Sequence, residues 1–571
     1  MRLAKPQQRG PERRVYDVCI VGSGAGGGMA AHVLTQAGGD VVMLEAGPMW
    51  DNRTDAAMLT WPYETRLRGA STAEREFGEF DACLGGFSLD GEPYTVAEGD
   101  EFRWYRARML GGRTNHWGRI SLRFGPDDFR RGDLDGLSPN WPITYDDLRP
   151  YYDRVDRLIG IFGSVEGLRN EPDGIFQPPP RPRCYELYVK QGCDRLGITC
   201  IPSRMSIITQ PLNGRPACHY CGQCNRGCSV NANFSSTNVL VLPALDTGRL
   251  TLVANAMARE VTVDDAGRAT GVSYIDRNTG ADEHVQARIV VLAASACESA
   301  RILLNSKSSR YPAGIGNSSG QVGKHLNDTT GVSVTGFFPQ LVDSVPHNED
   351  GVGGMHMYMP WWLDNARLDF PRGYHVEFGG GRRVPGYGFM GGIHTYPGGG
   401  GYGVQLKNDY RRYYASTLGF AGRGEMVSNP DSYCELDPEV TDRFGIPVLR
   451  FHFQWSDYEY DQVRHMQETF RALIVELGGE PRGEMPGRDR GYGITRGGEI
   501  IHEVGVTRMG SNPDTSVVDA NCRTHDAPNV YVADGGPFVT QSDKNPTWTI
   551  LALAMRTAEH LAERVRQGEA P

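Results

Sequence analysis

The chain has 571 residues, of which 39% are hydrophobic and 22% are charged. This composition supports a sizeable hydrophobic core and excludes wholesale disorder, and the length allows for up to about four domains. Lys and Arg total 59 against 69 Asp and Glu, a net charge of −10, so neither a nucleic-acid-binding role nor a polybasic membrane-binding role is expected. The twelve cysteines are too sparse for a disulfide scaffold. We expect a soluble globular protein.

The N-terminus is basic, and residues 1–14 are predicted to form a loose arm. No apolar stretch of leader length precedes the first strand, and no stretch reaches the roughly 18 apolar residues of a membrane helix. We therefore expect no signal peptide of its own and no direct membrane span. Two locations stay open, the cytoplasm or a periplasm reached by co-export with a signal-bearing partner.

A β-strand, a glycine-rich turn, a helix and a second strand open the chain. The strands are predicted over Val15–Val21 and Val41–Glu45, with helical spacing over 29–37 between them. The turn matches G-x-G-x-x-G: Gly22 permits a tight turn, Gly24 lets the backbone approach a pyrophosphate, and Gly27 allows close helix–strand packing. Glu45 ends the second strand, where an acid accepts ribose hydroxyls. This unit predicts a dinucleotide site without choosing between FAD and NAD.

Similar α/β patterning returns later in the chain. Helices are predicted over 148–161, 458–477 and 546–566, and a strand is predicted over 530–533. Residues 448–454 alternate in polarity, which favours a strand. The predicted fold class is α/β (α+β overall), with a doubly wound, Rossmann-like domain built from discontinuous segments and a second domain of sheet and helices made from the insertions.

Four of the twelve cysteines fall within eleven residues. Cys218, Cys221, Cys224 and Cys228 have the spacing C-x2-C-x2-C-x3-C, which follows the run that holds iron–sulfur clusters in bacterial ferredoxins, although no Pro follows the last cysteine. Structural zinc is an alternative, but zinc sites usually separate two C-x2-C pairs by a longer loop. Free thiols or strained disulfides are a third possibility. The spacing favours an iron–sulfur cluster.

Further motifs carry a resemblance to a known family. They are Gly111-Gly112-Arg113-Thr114-Asn115-His116-Trp117-Gly118, the segment from His502 to Gly510, Asp534-Gly535-Gly536-Pro537 and Asn545-Pro546-Thr547. With the N-terminal fingerprint, and in the same order from about residue 15 to residue 566, they resemble the glucose–methanol–choline family of FAD oxidoreductases. The likeness is greatest to the iron–sulfur-containing members, the catalytic subunits of glucoside 3-dehydrogenases.

The resemblance implies specific roles for these residues. His502 corresponds to the base that removes the substrate hydroxyl proton, and Asn545 to the second member of the catalytic pair. His116 corresponds to a histidine that some relatives join covalently to the flavin, while many others bind FAD without that bond. The resemblance also implies a three-iron cluster held by Cys218, Cys224 and Cys228, with Cys221 either completing a four-iron cluster or staying free. The remaining implied FAD contacts are Gly112, Asn115, Asp534, Gly535 and Thr547.

The residues around Asn545 also suggest a local structure. Pro546 favours the first helical turn, so Asn545 is predicted at the N-cap of the last helix, whose positive dipole end would face the flavin. The corresponding domain division comprises an FAD-binding domain and a substrate domain with insertions, which includes the cysteine segment 216–230. The FAD-binding domain is assigned residues 15–47, 104–125, 245–330 and 495–571. The substrate domain is assigned residues 48–103, 126–244 and 331–494.

The combined interpretation is an FAD-dependent dehydrogenase that oxidises a secondary hydroxyl of a sugar or glycoside, at carbon 3, to a ketone. Electrons would leave singly through the cluster to a cytochrome or other acceptor, and a small subunit is an expected partner. The alternatives are a pyranose- or glycoside-oxidase-like enzyme that reduces oxygen to peroxide, and an inactive subunit that keeps FAD for structure. His356, His375 and His394 are candidate substrate contacts. A Met- and aromatic-rich set is interpreted equally as a sugar-stacking surface or as ordinary core: Met355, Met357, Tyr358, Trp361, Trp362 and Tyr402.

Overall fold

Two large β-sheets, each with its own hydrophobic core, organise the protein. The computed structural model describes residues 14–56, 58, 60–72, 82–344, 351–360, 368–381, 399 and 401–567. His394, Trp361 and Trp362 lie outside the described residues. Within this described part, no helix is both long enough and apolar enough to cross a membrane.

The described residues form the following strands and helices. The strands are β1 (Val15–Val21), β2 (Val41–Glu45), β3 (Gly85–Gly86), β4 (Thr95–Val96), β5 (Arg106–Ala107), β6 (Ile201–Pro202), β7 (Leu250–Ala254), β8 (Ala256–Val263), β9 (Ala269–Asp276), β10 (Asp282–Leu292), β11 (Ser333–Phe337), β12 (Met357–Met359), β13 (Tyr374–Gly379), β14 (Thr417–Gly424), β15 (Tyr433–Thr441), β16 (Pro447–His452), β17 (Glu480–Pro481) and β18 (Val530–Val532). The helices are α1 (Ala25–Gln36), α2 (Arg131–Leu134), α3 (Tyr145–Ile159), α4 (Cys184–Leu196), α5 (Leu242–Asp246), α6 (Ala296–Asn305), α7 (Val404–Tyr413), α8 (Asp457–Glu476) and α9 (Thr547–Arg566).

The first sheet has seven strands and a parallel centre. β7, β2, β1 and β10 are parallel neighbours, and β18 also pairs in parallel with β10. β9 extends the sheet through antiparallel pairing with the first half of β10, and β8 pairs antiparallel with β9. β2 is buried throughout and β1 is buried from Val18 to Val21, as expected for strands covered on both faces. Their predicted bounds are confirmed.

Helices α1, α9 and α3 form a layer against this sheet. Small residues fill α1, which lets it pack closely against α9. The buried stripe of α9 includes Leu551, Ala554, Ala558 and Leu561, and Tyr152 of α3 is 2.6 Å from the Thr549 hydroxyl of α9. Helix α1 begins four residues earlier than its apolar spacing predicted, because the glycines of the turn themselves enter the helix.

The second sheet is antiparallel, in the order β17–β11–β14–β13–β12–β6. One face packs on α8, which begins at a capping box between Ser456 and Glu459 and ends before Gly478. The apolar face of α8 includes Val463, Met466, Phe470 and Leu473, all buried. The smaller sheets are β15–β16–β4 and β3–β5.

Met355, Met357 and Tyr358, three members of the Met- and aromatic-rich set, lie within the cores. Their burial favours the core interpretation, whereas Tyr402 is 91% exposed.

The seven-stranded sheet draws on widely separated parts of the chain, and the six-stranded sheet is built from segments between them. The exact domain boundaries stay predictions.

Candidate active site

The turn after β1 lines one end of a long cavity. Gly22, Ser23 and Gly24 lie on its wall. Gly22 has φ +99°, and a Cβ there would stand 2.4 Å from the carbonyl oxygen of Ala293. A Cβ on Gly27 would stand 2.0 Å from the Gly22 oxygen, whereas one on Gly24 would meet no atom within 4 Å. The glycines therefore separate into two that permit close packing and one, Gly24, that leaves open space for a ligand.

Glu45 lies on the same wall, and its carboxylate is already engaged. It accepts hydrogen bonds from the Ser23 amide at 3.2 Å and from the Gly47 amide at 2.7 Å, and it also contacts the Ser23 hydroxyl. Burial raises the pKa of Glu45 above its ordinary value, against the lowering effect of these hydrogen bonds. Each carboxylate oxygen has two lone pairs, so ribose hydroxyls can still bind.

The double-glycine loop forms a second wall. Gly112, Arg113 and His116 line the cavity. Arg113 pairs with Glu503 at 2.6 Å. Burial, with the nearby Arg119 and Arg113, lowers the pKa of His116 to about 3, so this imidazole is neutral. Asn115 does not line the cavity; its amide donates to the carbonyl of Leu110 at 2.8 Å and braces the loop from behind.

The segment after β18 closes the cavity. Asp534, Gly535 and Thr547 all lie on its wall. Asp534 accepts hydrogen bonds from the Gly536 amide at 2.8 Å and the Ser299 hydroxyl at 2.5 Å, and burial raises its pKa to about 6. These two hydrogen bonds fix the Asp534 carboxylate at the wall of the cavity, in the segment that the sequence assigned to FAD binding.

His502 and Asn545 come together at the other end of the cavity. The Asn545 amide nitrogen lies 3.4 Å from His502 Nε2, and the Thr329 hydroxyl lies 2.9 Å from His502 Nδ1. An amide N–H can only donate, so Nε2 carries the lone pair and Nδ1 carries the proton that it donates to Thr329. Burial lowers the pKa of His502 to about 3, with Arg423 acting in the same direction. The imidazole is therefore a neutral base with Nε2 directed toward the cavity side.

The predicted N-cap role of Asn545 is wrong. Helix α9 begins at Thr547 with Pro546 at its N-cap, and no side chain caps it. The Asn545 amide is turned toward His502 instead, and its Oδ1 is buried without a partner among the described residues. Asn545 is therefore available to a ligand, which a capping side chain would not be.

Thr329, Gln541 and Lys544 were missed by the sequence interpretation. Gln541 donates to the Thr329 hydroxyl at 3.2 Å and to the carbonyl of Lys544 at 3.0 Å. The buried Lys544 ammonium pairs with Asp543 at 2.6 Å and with Asp128 at 3.2 Å. These contacts hold the turn that presents Asn545. Thr329 is more than 200 positions from the other two, and Gln541 and Lys544 belong to no motif that could have identified them, although they closely precede Asn545.

The six-stranded sheet supplies three further groups. His375 Nδ1 donates to the carbonyl of Asp543 at 2.6 Å, and Glu377 pairs with Arg423 at 3.1 Å. Burial alone would raise the pKa of Glu377, but Arg423 and the hydrogen bond with His375 outweigh it and bring the pKa to about 2. Of the three histidines proposed as substrate contacts, His375 is beside the site. His356 lies elsewhere, bonded to the carbonyl of Arg181 at 2.7 Å.

The four clustered cysteines line one small cavity of their own. None of the four forms a disulfide, and three of their sulfurs accept hydrogen bonds from backbone amides at 3.3 Å: Cys218 from Tyr220, Cys224 from Gly353 and Cys228 from Ala232. Tetrahedral zinc needs four sulfurs about 3.8 Å apart, given Zn–S bonds of about 2.3 Å. Within the described residues, no three of these sulfurs lie within 4.8 Å of one another.

A different set of potential ligands does meet that distance within the described residues. It consists of Asp128, Glu425 and Asp543. Lys544 and Arg131 already pair with this set, so the protein's own cations offset two of its three carboxylates.

The residues around the large cavity suit a flavin dinucleotide. Gly24 leaves room where a side chain would intrude, and the first turn of α1 has no side-chain cap. At the opposite end, Asn545 Oδ1 and Glu503 Oε2 are buried and lack partners among the described residues. The cavity thus joins a phosphate-binding end to an end with a base and unsatisfied polar atoms.

Comparison with known proteins gives concordant matches. The GMC oxidoreductase profile matches residues 25–330 in its N-terminal part and 428–554 in its C-terminal part. The chain is 30% identical to the 2-methyl-1,2-propanediol dehydrogenase of Mycolicibacterium austroafricanum over 96% of this chain and 95% of that protein. It is 25% identical to the fructose dehydrogenase large subunit of Gluconobacter japonicus over 97% and 98%. Its fold is similar to that of formate oxidase from Aspergillus oryzae RIB40, in a structure concerned with FAD modification, with a TM-score of 0.64, 14% identity and coverage of 97% and 99%.

Proposed function

Because the chain belongs to the GMC oxidoreductase family and is an FAD oxidoreductase acting on alcohol- or sugar-type CH–OH groups, we propose that its substrate is a sugar or glycoside. The proposed reaction converts a secondary hydroxyl, at carbon 3, to a ketone. The observation that carries this proposal is the contact between Asn545 and the neutral His502 at the end of the cofactor cavity. The position at carbon 3 depends on the resemblance of the motifs to glucoside 3-dehydrogenases.

The proposed residues would act as follows. The substrate hydroxyl would replace the long 3.4 Å contact between the Asn545 amide and His502 Nε2, and Nε2 would then take its proton as the C–O bond becomes a carbonyl, while Thr329 holds the ring through Nδ1. The Asn545 amide N–H groups and Oδ1, which has no partner among the described residues, would orient the reacting oxygen. FAD supplies the two-electron acceptor for the hydride that leaves the same carbon. One proton and one hydride leave, so alcohol and ketone balance.

The proposed cofactor contacts are the residues that line the cavity. Gly22, Gly24 and the first turn of α1 would hold the diphosphate, and Glu45 the ribose. Gly112, His116, Asp534, Gly535 and Thr547 would surround the rest of FAD. Gly27 and Asn115 support these loops from behind. Covalent attachment through His116 stays a prediction, which denaturation followed by measurement of protein-bound flavin absorbance would test.

The proposal includes an iron–sulfur cluster at Cys218, Cys221, Cys224 and Cys228. Backbone amides directed at thiolate sulfurs are typical of such clusters, where they tune the reduction potential. A three-iron or a four-iron cluster is compatible with this set.

A direct chain of contacts connects the proposed flavin site and the cysteine segment. Arg119 follows the loop that lines the large cavity, and its guanidinium donates to the carbonyl of Asn115 at 2.7 Å. The same guanidinium donates to the side chain of Asn225 at 3.3 Å, and Asn225 follows Cys224. This short connection supports electron transfer from one site to the other. A cytochrome or other external acceptor, with a small subunit, is the proposed partner.

The cluster is tested by iron and acid-labile sulfide analysis of protein purified without oxygen. We expect at least three irons per chain, and loss of most of the iron in Cys224→Ser. Cys184→Ser provides the control, because Cys184 is exposed and lies in helix α4, outside the cysteine segment. Protein that contains only zinc, or no metal, would exclude the cluster.

The substrate class is tested with a panel of glycosides under anaerobic conditions. We expect methyl β-D-glucopyranoside to bleach the flavin absorbance and NMR of the product to place the ketone at carbon 3. Reduction of dyes should exceed peroxide formation under air; the opposite ratio would favour an oxidase. A flavin that no sugar or glycoside bleaches would refute the proposed function.

A further inference from the structure

The six-stranded sheet has one face in the core and one face toward the active site. On β13, Tyr374, Val376 and Phe378 enter the core, so His375 and Glu377 lie on the opposite face. On β14, Leu418 and Phe420 enter the core, which puts Arg423 on that opposite face as well. Because side chains alternate between the two faces of a strand, His375, Glu377 and Arg423 all lie on the face of the sheet away from α8.

The register of the two strands brings the charged groups together. His375 is directly opposite Arg423, and Glu377 is opposite Ala421. Glu377 and Arg423 are thus diagonal neighbours, at a separation that long side chains bridge. Their side chains meet at 3.1 Å, with 15% of the Glu377 side chain and 22% of the Arg423 side chain exposed. The pair is sheltered but accessible.

Two contacts connect this pair to the reacting end of the cavity. The Cβ position of Gly331 is 3.5 Å from Arg423 Nη1 and 2.6 Å from Ile500, which lines the cofactor cavity two residues before His502. His375 bonds to the carbonyl of Asp543, two residues before Asn545. The ion pair therefore neighbours His502 and Asn545.

The pair retains hydrogen-bonding capacity. Contacts with the described residues engage Arg423 at Nη1, with the carbonyl of Gly422 at 3.0 Å, and at Nη2, with Glu377. A guanidinium has five N–H donors, and a carboxylate has about four lone-pair sites. The two charges cancel, so the pair gives no net preference for an anionic or cationic substrate. Adjacent donor and acceptor groups of this kind suit two neighbouring neutral hydroxyls.

We propose that Glu377 and Arg423 form a binding subsite for a vicinal diol, which selects a neutral polyhydroxylated ring and places the neighbouring hydroxyl at His502. This inference rests on the proposed function and names the groups that recognise its substrate. Glu377 accepts hydrogen bonds from the diol, and Arg423 donates to its oxygens. Sheltered, charge-assisted hydrogen bonds are stronger than neutral ones. An ion pair of this kind contributes little to stability, so a recognition role accounts better for its place beside the base.

The experiment compares two alcohols that differ by one hydroxyl, trans-cyclohexane-1,2-diol and cyclohexanol. The measured quantity is the ratio of their kcat/KM values, in which any general effect on the base cancels. In Glu377→Gln and Arg423→Gln we expect this ratio to fall about 10- to 100-fold, the effect of losing a hydrogen bond to a charged group. Glu476→Gln is the control: Glu476 pairs with Arg195 at 2.8 Å on the outer surface.

Flavin content shows which variants are folded. If either Glu377→Gln or Arg423→Gln fails to fold, the other still tests the subsite. An unchanged ratio in a folded variant would overturn the subsite. If the wild-type protein oxidises neither alcohol, anaerobic binding of the diol decides the inference, while the proposed function is judged separately by the glycoside panel. A dissociation constant at least about 10-fold weaker in Glu377→Gln would support the subsite, and an equal one would overturn it.

Discussion

The cofactor side and the substrate side of the cavity are built by different means. The cofactor side is formed mainly by backbone atoms and by glycines, which have no side chain. Gly22, Gly24 and Gly27 lie within six residues, so the sequence motif can be identified without any distant residue. On the substrate side, charged and polar side chains dominate, and they come from four positions spread over residues 377–545. His502, Asn545 and the Glu377–Arg423 pair meet only after folding.

The two sides of the cavity should therefore respond differently to amino-acid substitution. A dinucleotide-binding turn depends on space, so an added methyl group disrupts it. The substrate side depends on lone pairs and donors, so a replacement that preserves packing should remove rate or selectivity while leaving the cofactor in place. The following predictions test this separation.

The largest effect is expected from His502→Ala. Loss of the neutral base should lower kcat about 10³-fold, near the middle of the range for general base catalysis, with normal FAD content. His284→Ala is the control, since His284 is on strand β10 and bonds to the exposed Thr262. Steady-state kinetics with a glycoside and a dye provide the measurement. Normal turnover by His502→Ala would remove this residue from the mechanism.

Gly27→Ala should disrupt the cofactor side. Its Cβ would stand 2.0 Å from the Gly22 carbonyl, a backbone atom that cannot move aside, so we expect a loss of about 3 kcal/mol in stability and poor FAD content. Gly24→Ala is the matched variant, because its Cβ meets open space. It should fold normally and bind FAD more weakly. Thermal unfolding and flavin absorbance distinguish the two variants, and equal unfolding temperatures would contradict the packing argument.

Asn545→Ala should have a smaller effect on rate. Removal of a neutral hydrogen-bonding group is expected to lower kcat/KM about 10-fold. Because Asn545 does not cap α9, the thermal unfolding temperature should stay close to that of the wild type. A stability loss of about 1 kcal/mol with unchanged kinetics would instead indicate a capping role.

The pH dependence should show the smallest change. A pKa lowered to about 3 keeps His502 neutral, and therefore able to accept a proton, as the pH falls from 8 to 5. An ordinary histidine, with a pKa near 6.5, would be mostly protonated at pH 5 and would lose about 30-fold in rate. We expect kcat/KM to change less than about twofold over this range, and an acid limb centred near pH 6.5 would contradict the assigned environment.

The sequence was sufficient to predict the local elements. β1 and β2 were predicted with their observed bounds because each is a short, mostly apolar run next to glycines or charges, with Asp17 and Glu45 as its only charged residues. The predicted ends of the last two long helices differ from the observed ends by at most one residue. The bounds of these strands and helices depend on residues that are close in the chain, so local sequence patterns are enough to predict them.

The substrate side was predicted only in part. His502 and Asn545 were identified through family motifs, and the structure brings them together. Glu377 and Arg423 were missed because their meaning depends on the register of β13 and β14, which single-strand alternation does not reveal. Asn545 was misplaced as a cap, since a residue before Pro suits a helix start equally well when its real partner is 43 positions away.

The late position of β18 has a consequence for biosynthesis. The parallel centre of the first sheet needs Val530–Val532 beside β10, and α9 must then cover α1. Val530 emerges from the ribosome 509 residues after Val21, so the nucleotide-binding unit stays incomplete through most of translation. Exposed apolar strands in such a nascent chain invite aggregation, and chaperone supply and temperature during expression should therefore govern the yield of flavin-loaded protein.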